Sequence, residues 1–351
     1  MLIPSRHSFA PAPRSGERYS LVFFTPEVSG KDEHLTSAST EPGDALVSLD
    51  DRQARYLARE HSKVVSHFLP LLEFRPDSTD ALVIKELMDP GKDGAYTMRP
   101  SANMPAGFSV KGHSCVLDVG AHIGVFSRYA LLEGCGHIIS YEPEPSNFRL
   151  LSRNLGLLPM ESQTSSGFPT VELHPSAVAH ASSESRTLVR ARNENSGKAN
   201  TWRHSLEEYT SYSDVDSATK LPSESQKNAL ERFPVPCRSF FGEALVPGVT
   251  FVKLDCEGAE MEILLSSMAA RRASWLDTTH VAVEWSFTKE RRVSVFHKAV
   301  DNLCKAGFEV FYEGLGSWWD VDASVMWPYQ TDIIVFAVLK NDSGREPARH
   351  G

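Results

Sequence analysis

From Ser114 onward, short apolar runs alternate with longer stretches in which apolar residues recur every three or four positions. The run Cys115-Val116-Leu117-Asp118-Val119 reads as a strand, and residues 123–133 as a helix stopped by Gly134 and Gly136. Residues 137–141 form a second predicted strand closing in Glu142-Pro143, 146–157 a helix, and 171–173 a third strand. Further on come a strand at 250–254 with a helix from Ala259, and a strand at 280–284 with a helix from Lys289. The last predicted strands are 308–312 and 332–338. Strands separated by helices of this length need crossover connections, so the pattern predicts an α/β domain with a mainly parallel sheet and helices on both faces.

Before that domain the pattern is weaker. Residues 1–45 are rich in Pro, Ser, Gly and charge around one apolar patch, Leu21-Val22-Phe23-Phe24, and read as a loosely attached segment. Tyr56, Leu57, Val64, Val65 and Phe68 fall at helical spacing within 50–72. Ala81-Leu82-Val83-Ile84 reads as a short lead-in strand, with a turn at Pro90, Gly91 and Gly94. The stretch 197–236 is polar and Ser-rich, and its length predicts a functional lid or a floppy insertion. The expected organisation is therefore 1–45 disordered, 46–110 helix and lead-in strand, 111–340 the main domain, and 341–351 a flexible tail.

Composition narrows the function. A net charge of -9 gives no global positive field to gather phosphate backbones, so a nucleic-acid partner is not expected. The 5 cysteines are scattered and never spaced C-x-x-C, which argues against a disulfide framework and a structural zinc site. No apolar run reaches the ~20 residues that span a bilayer, and a cytoplasmic location is expected. The Arg, Ser and Pro residues near the N-terminus leave an organellar address open.

The candidate chemistry sits at predicted strand ends, where open parallel sheets bind ligands. Asp118-Val119-Gly120-Ala121-His122-Ile123-Gly124 follows the first strand. A dinucleotide site wants G-x-G-x-x-G, so that pyrophosphate meets bare N–H groups. Here G-x-x-x-G follows a carboxylate, which repels pyrophosphate and suits a cation such as the ammonium of a methionine moiety. Glu142 ends the second strand, where an acid can accept both hydroxyls of a ribose. Together these features favour an adenosyl ligand. Asp255 ends the 250–254 strand and would point into the cleft, whereas Glu257 could equally stabilise a helix dipole. Glu260 reads as structural, His122 as a hydrogen-bonding spacer, and Glu284 as either a pocket wall or a solvated acid. Cys237 of Pro236-Cys237 reads as a buried thiol, and Trp318, Trp319, Trp327 and Tyr329 as packing. Asp320-Val321-Asp322 matches a metal-dependent glycosyltransferase motif without support nearby.

Three segments carry a family resemblance: D-V-G-A-H-I-G from Asp118, Y-E-P-E-P-S-N-F from Tyr141 with Asn154 downstream, and V-K-L-D-C-E-G-A-E from Val252. Over about residues 82–338 the chain resembles the FkbM family of S-adenosylmethionine-dependent methyltransferases. The resemblance implies a Rossmann-like class I methyltransferase fold with seven strands, the last of them antiparallel. It implies S-adenosyl-L-methionine as cofactor, with Asp118, Gly120 and Gly124 at the methionine end, Glu142 at the ribose, His122, Pro143 and Asn147 also in the cofactor site, and Asp255 and Glu257 at the transfer site. The acceptor it implies is a hydroxyl on a small molecule, glycan or lipid. The chain departs from the family in having His122 for Asn, Arg238-Ser239-Phe240-Phe241 for V-x-L-D-x-L, and no acid after the third strand, so that Ser176 and the backbone near Ala177 would hold the adenine. Two other readings stay open: a degenerate methyltransferase domain kept as a binding module, and a nicotinamide-dependent oxidoreductase, against which the missing G-x-G-x-x-G counts.

Overall fold

The computed structural model describes residues 72–75, 78–87, 96–97, 100, 107–156, 169–191, 204–206, 230–287, 293–312 and 331–340. The expected N-terminal segment 1–45, the helix at 50–72 apart from Leu72, and the turn at Pro90 to Gly94 lie outside the described residues. So do residues 197–203 and 207–229 of the polar stretch, Trp318 to Asp322, Trp327, Tyr329 and the tail 341–351.

The first element corrects the sequence reading. Ala81 to Ile84 lie not in a strand but in a helix, α1 (Asp80–Leu87). Ser78 Oγ accepts a hydrogen bond from Asp80 N at 3.1 Å, and Asp80 places an acid in the first turn. Four consecutive apolar residues fit either element. Ile84 is buried, while Val83 and Leu87, one turn apart, face a cavity.

The main sheet then follows the predicted rhythm. In chain order come β1 (Cys115–Val119), α2 (Val125–Leu132), β2 (His137–Tyr141), α3 (Pro145–Gly156) and β3 (Thr170–His174). A smaller sheet intervenes: β4 (Ala177–Ala179), β5 (Ser183–Ala191), β6 (Ser205–Leu206) and β7 (Leu230–Ser239). The main sheet resumes with β8 (Phe251–Leu254), α4 (Ala259–Leu265), β9 (His280–Phe287), α5 (Val293–Lys305), β10 (Phe308–Tyr312) and β11 (Thr331–Leu339). Its order is β10-β11-β9-β8-β1-β2-β3, with β11 antiparallel to both neighbours and the five strands from β9 to β3 parallel. This is the Rossmann-like class I methyltransferase arrangement. The chain runs outward from β1 to β3, then restarts on the other side of β1 with β8. The switch point therefore lies between β1 and β8.

Side-chain alternation assigns the two faces. Leu117, Val119, Val252, Leu254, Val281 and Val283 pack with Ile263 of α4 and Phe296 and Leu303 of α5. Val116, Ile138, Phe251 and Ala282 pack on the other face with Phe126 and Leu131 of α2 and Leu151 and Leu155 of α3. Because both faces are covered, the strands read as nearly continuous apolar runs. Trp275 is fully buried in the first face and donates its indole N–H to the Ala269 carbonyl at 2.9 Å.

The smaller sheet, ordered β4-β7-β5-β6, corrects the polar-insertion reading where it is described. Residues 204–206 and 230–236 are not loose: they contribute β6 and most of β7, with Leu206 and Val235 buried against Leu188 and Ala259. Pro234 and Pro236 disguised this strand. Among the described residues, β7 pairs there only with β5, since β4 meets it at Cys237 and beyond, and an unpaired edge tolerates proline. Cys237 is buried in this sheet, as expected. No helix among the described residues is long and apolar enough to cross a membrane.

Gly124 shows how tightly α2 and α3 meet. Its φ is +86°, and an added Cβ would stand 2.7 Å from Leu151 Cδ1. Gly124→Ala should therefore destabilise the protein by about 1–3 kcal/mol through left-handed strain and overpacking. Urea unfolding would show this as a lower midpoint, and an unchanged midpoint would contradict the packing.

Candidate functional site

A cavity of about 970 Å³, counting the open solvent at its mouth, lies beyond the carboxyl ends of β1, β2, β8 and β9. It falls at the switch point, where open α/β sheets bind their ligands. α1 and the smaller sheet wall it, through Val83 and Leu87 on one side and Val178, Leu188 and Leu206 on the other.

The loop after β1 owes its path to Gly120. With φ at +80°, a Cβ there would stand 1.7 Å from the Asp255 carbonyl oxygen, so only glycine lets the ends of β1 and β8 meet. The N–H groups of Gly120 and Ala121 both donate to the Tyr141 carbonyl at 3.0 Å. Those amides are spent inside the fold, which leaves no phosphate cradle at this turn. His122 takes φ of +51°, a left-handed conformation that Asn, Asp and His tolerate better than most side chains. The same backbone demand accounts for His where Asn was expected.

Glu142 ends β2 at the cavity wall and is 5% exposed. Its Oε2 accepts the His122 N–H at 2.8 Å and its Oε1 the Glu144 N–H at 2.9 Å. Burial pushes its carboxyl up to about 7, despite the opposing pull of His122 and the two amides. Pro143, Asn147, Ser176 and Ala177 line the same end of the cavity. The acid missing after β3 has no replacement on that strand, but β6 brings His204 there, with its Nδ1 3.5 Å from Asn147 Nδ2.

The opposite end is acidic. Asp255 and Glu257 line it just after β8, and Glu284 lines it from within β9, one residue past the pairing with β8. Asp255 Oδ2 lies 3.2 Å from Lys253 Nζ and accepts the Tyr96 hydroxyl at 2.9 Å. Burial alone would lower the Lys253 ammonium, but Asp118 and Asp255 hold it well above the ordinary lysine value. Glu257 sits at φ of +53°, an uncommon conformation that places it beside the cavity before α4 begins. Glu260 is buried, and its Oε2 accepts the Gly258 N–H at 2.8 Å, which makes it a structural cap as expected. Among the described residues, no group of three or more His, Cys, Asp or Glu is arranged to hold a metal ion.

Two expected cofactor contacts are not at the cavity. Asp118 is fully buried beneath it, taken by Lys253 Nζ at 3.1 Å and Ser127 Oγ at 2.5 Å. On a strand whose neighbours Leu117 and Val119 face one helix layer, Asp118 faces the other, so it organises the loop from below. Gly124 serves the contact with Leu151 described above. Gly120, His122, Glu142, Pro143, Asn147, Ser176, Ala177, Asp255 and Glu257 do border one cavity.

Sequence reasoning missed Tyr96, Lys253, His204 and a buried network from the N-terminal segment. Arg75 clamps Asp80 through Nε and Nη2 at 2.9 Å each, while its Nη1 reaches Ser146 Oγ at 2.9 Å and its Nη2 Asn147 Oδ1 at 2.5 Å. Asp80 Oδ1 also lies 3.4 Å from His122 Nε2. Burial would raise the Asp80 carboxyl, but His122 and then Arg75 hold it well below the usual carboxylate range. Asn154 of α3 ties the same segment down, donating to the carbonyls of Glu73 at 3.0 Å and Ile123 at 2.6 Å. Lys253 alone carried a signal, as a lone charge inside an apolar run.

A family model described as Methyltransferase FkbM domain matches residues 118–310, more than half of the 351-residue chain. Among solved structures, the chain is similar to fibrillarin of Aeropyrum pernix in complex with S-adenosyl-L-methionine, at 14% identity over 65% of this chain and 68% of that one, TM-score 0.31. It is similar to ribosomal protein L11 methylase of Lactobacillus delbrueckii subsp. bulgaricus, at 13% identity, 65% and 71% coverage and TM-score 0.28. Precorrin-6y C5,15-methyltransferase of Geobacter metallireducens matches at 13% identity, 65% and 82% coverage and TM-score 0.29. No curated protein sequence matches significantly.

The Arg75–Asp80 pair is the contact to break. Asp80→Asn leaves a guanidinium with 13% side-chain exposure facing no charge, which should cost about 3–5 kcal/mol. Stability within 1 kcal/mol of wild type by urea unfolding would show that the network does not hold the loop.

Proposed function

The chain belongs to the FkbM methyltransferase family, and from that premise we propose that it transfers a methyl group from S-adenosyl-L-methionine to a hydroxyl of a small molecule, sugar or lipid-linked acceptor. The cofactor supplies a methyl group on a positively charged sulfur. The donor set suits it: a buried acid for a ribose diol, apolar walls for a flat base, and carboxylates rather than phosphate-binding amides at the cationic end. Glu142, Pro143 and Asn147 would hold the ribose. Ser176, Ala177 and Val178 would border the adenine, and Gly120 and His122 the methionine backbone.

The observation that carries the reading is Asp255. It ends β8 at the switch point, its carboxylate is paired with Lys253 at 3.2 Å, and it borders the cavity that Glu142 also lines. A carboxylate so placed can take the proton of an acceptor hydroxyl as that oxygen gains its methyl group, and can hold the oxygen in line. The acidic end and the net charge of -9 favour a neutral acceptor over a phosphodiester chain.

A screen of hydroxylated metabolites and glycans for labelled-methyl incorporation identifies the acceptor. Asp255→Asn should then lower turnover ~100-fold or more, the scale for a positioned base, with S-adenosylhomocysteine affinity within a few-fold of wild type. Glu257→Gln should fall between that and no effect. Loss of S-adenosylhomocysteine binding in Asp255→Asn would move the residue into the cofactor site.

Glu142 sets a pH dependence. Ribose hydroxyls donate to the ionised carboxylate, so binding lowers the raised value and releases a proton. Affinity for S-adenosylhomocysteine should be flat above about pH 7 and weaken by up to about tenfold per pH unit below it. Glu142→Gln should bind more weakly and lose this slope. Calorimetry from pH 5.5 to 8 (roughly the range that brackets the carboxyl) checks it, and a wild-type slope that survives in Glu142→Gln would remove Glu142 from the ribose.

A further inference from the structure

Arg190 joins the smaller sheet to the Glu142 end of the cavity. On β5 it stands directly across from Glu231 of β7. Its Nε and Nη2 both donate to Glu231 Oε2, the former at 2.9 Å. That pairing fixes the planar fork and leaves Nη1 to reach Glu144 Oε1 at 2.8 Å. Glu144 is 2% exposed and stands just before α3, where its Oε2 accepts the Asn147 N–H at 2.6 Å and the Ser146 hydroxyl at 2.5 Å. The N–H of the same residue donates to Glu142 Oε1 at 2.9 Å. A guanidinium on β5 is thus connected, through one residue, to the acid assigned to the ribose.

We propose that Arg190 is a positioning residue for Glu142: by holding and neutralising Glu144, it lets Glu142 remain a carboxylate able to accept ribose hydroxyls. The proposal rests on the reading of Glu142 as the ribose acid and adds which group outside the main sheet sets its charge. Two buried carboxylates side by side repel, and each makes ionisation of the other harder. Burial raises the Glu142 carboxyl first, and the charge on Glu144 adds to it. Burial would raise Glu144 as well, but His204, Ser146, the Asn147 N–H and Arg190 hold it below the ordinary glutamate value. Glu144 therefore keeps its charge, and the guanidinium, which does not lose its proton, is set against it.

The other charged groups around the two acids are engaged elsewhere or act on Glu142 from another side. His122, on the loop after β1, faces Asp80, and Asp80 is clamped by Arg75. His174 of β3 stacks on Tyr141, with its Nε2 3.9 Å from Glu172. His204 of β6 approaches through Asn147 and favours the charge on Glu144. Arg190 is the cation in direct contact with the Glu144 carboxylate, and it comes from the smaller sheet.

The test is a carboxyl titration of the ligand-free protein by carbon-13 NMR, with glutamate labelled at the side-chain carboxyl and Glu142 assigned by its loss in Glu142→Gln. Arg190→Met keeps an apolar stem beside Phe233 at a partly exposed position, so the fold should tolerate it. The Glu142 midpoint, about 7 in wild type, should rise by roughly half a pH unit in Arg190→Met, less than the loss of a charge in direct contact would give. Arg190→Lys keeps the charge and should hold the midpoint near wild type. Glu144→Gln should lower it, and in that background Arg190→Met should move it by less than about half as much as in wild type. A midpoint that Arg190→Met leaves in place or lowers overturns the proposal, as does an effect undiminished in Glu144→Gln. A purely structural loss would weaken S-adenosylhomocysteine binding equally at every pH. Calorimetry should instead show Arg190→Met binding about threefold more weakly at about pH 6 and nearly unchanged at about pH 8. A shifted midpoint with no change in affinity would support the hold of Arg190 on Glu142 and count against the ribose reading alone.

Discussion

The ammonium of Lys253 is the charge around which the site is arranged. It has three hydrogens and three oxygen partners: Asp118 Oδ1 at 3.1 Å, the Gly120 carbonyl at 2.9 Å and Asp255 Oδ2 at 3.2 Å. These come from the end of β1, the loop that follows it, and the end of β8, so one side chain spans the switch point. A buried ion is tolerated only when such partners compensate its lost hydration, and removing one member of a buried pair typically costs about 3–5 kcal/mol. The arrangement also divides the acids. Asp118 is consumed beneath the cavity, whereas Asp255 shares the same cation and still borders the open space.

A second constraint comes from outside the family-matched region. Residues 118–310 contain the strands that shape the cavity, but Arg75, Asp80 and Tyr96 lie upstream of them. Arg75 and Asp80 brace His122 and Asn147 from behind, and Tyr96 reaches the acidic end. The upstream segment is thus part of the site. The smaller sheet does the equivalent at the other end, where Leu188, His204 and Leu206 close the wall beyond Glu142. A core fold of parallel strands supplies the floor, and the upstream segment and the smaller sheet supply the sides.

The strands of the main sheet were legible because each is a local pattern. Burial on both faces demands an unbroken apolar run, and a glycine marks where the chain leaves β1, at Gly120. Glu142 and Asp255 could be placed at the cleft for the same reason: an acid just after such a run stands at a strand end. The failures share a cause as well. Ala81 to Ile84 is too short for its period to distinguish strand from helix, and the contacts of Val83, Ile84 and Leu87 decided it. β7 contains two prolines, at a stretch where, among the described residues, it pairs only with β5.

What the sequence by itself determined is the order of strands and helices in the main sheet, and with it the strand ends where Glu142 and Asp255 would stand, since period and turn chemistry act over a few residues. What only the tertiary structure decided is which partner each charge receives. Asp118 is the last residue but one of β1 and Asp255 the first after β8, yet one is sealed by Ser127 and Lys253 while the other opens to the cavity. Tyr96 lies 159 residues from Asp255 along the chain and 2.9 Å from it in space. No local pattern encodes such a pairing, because the free energy of a buried charge depends on neighbours that only the folded chain brings together.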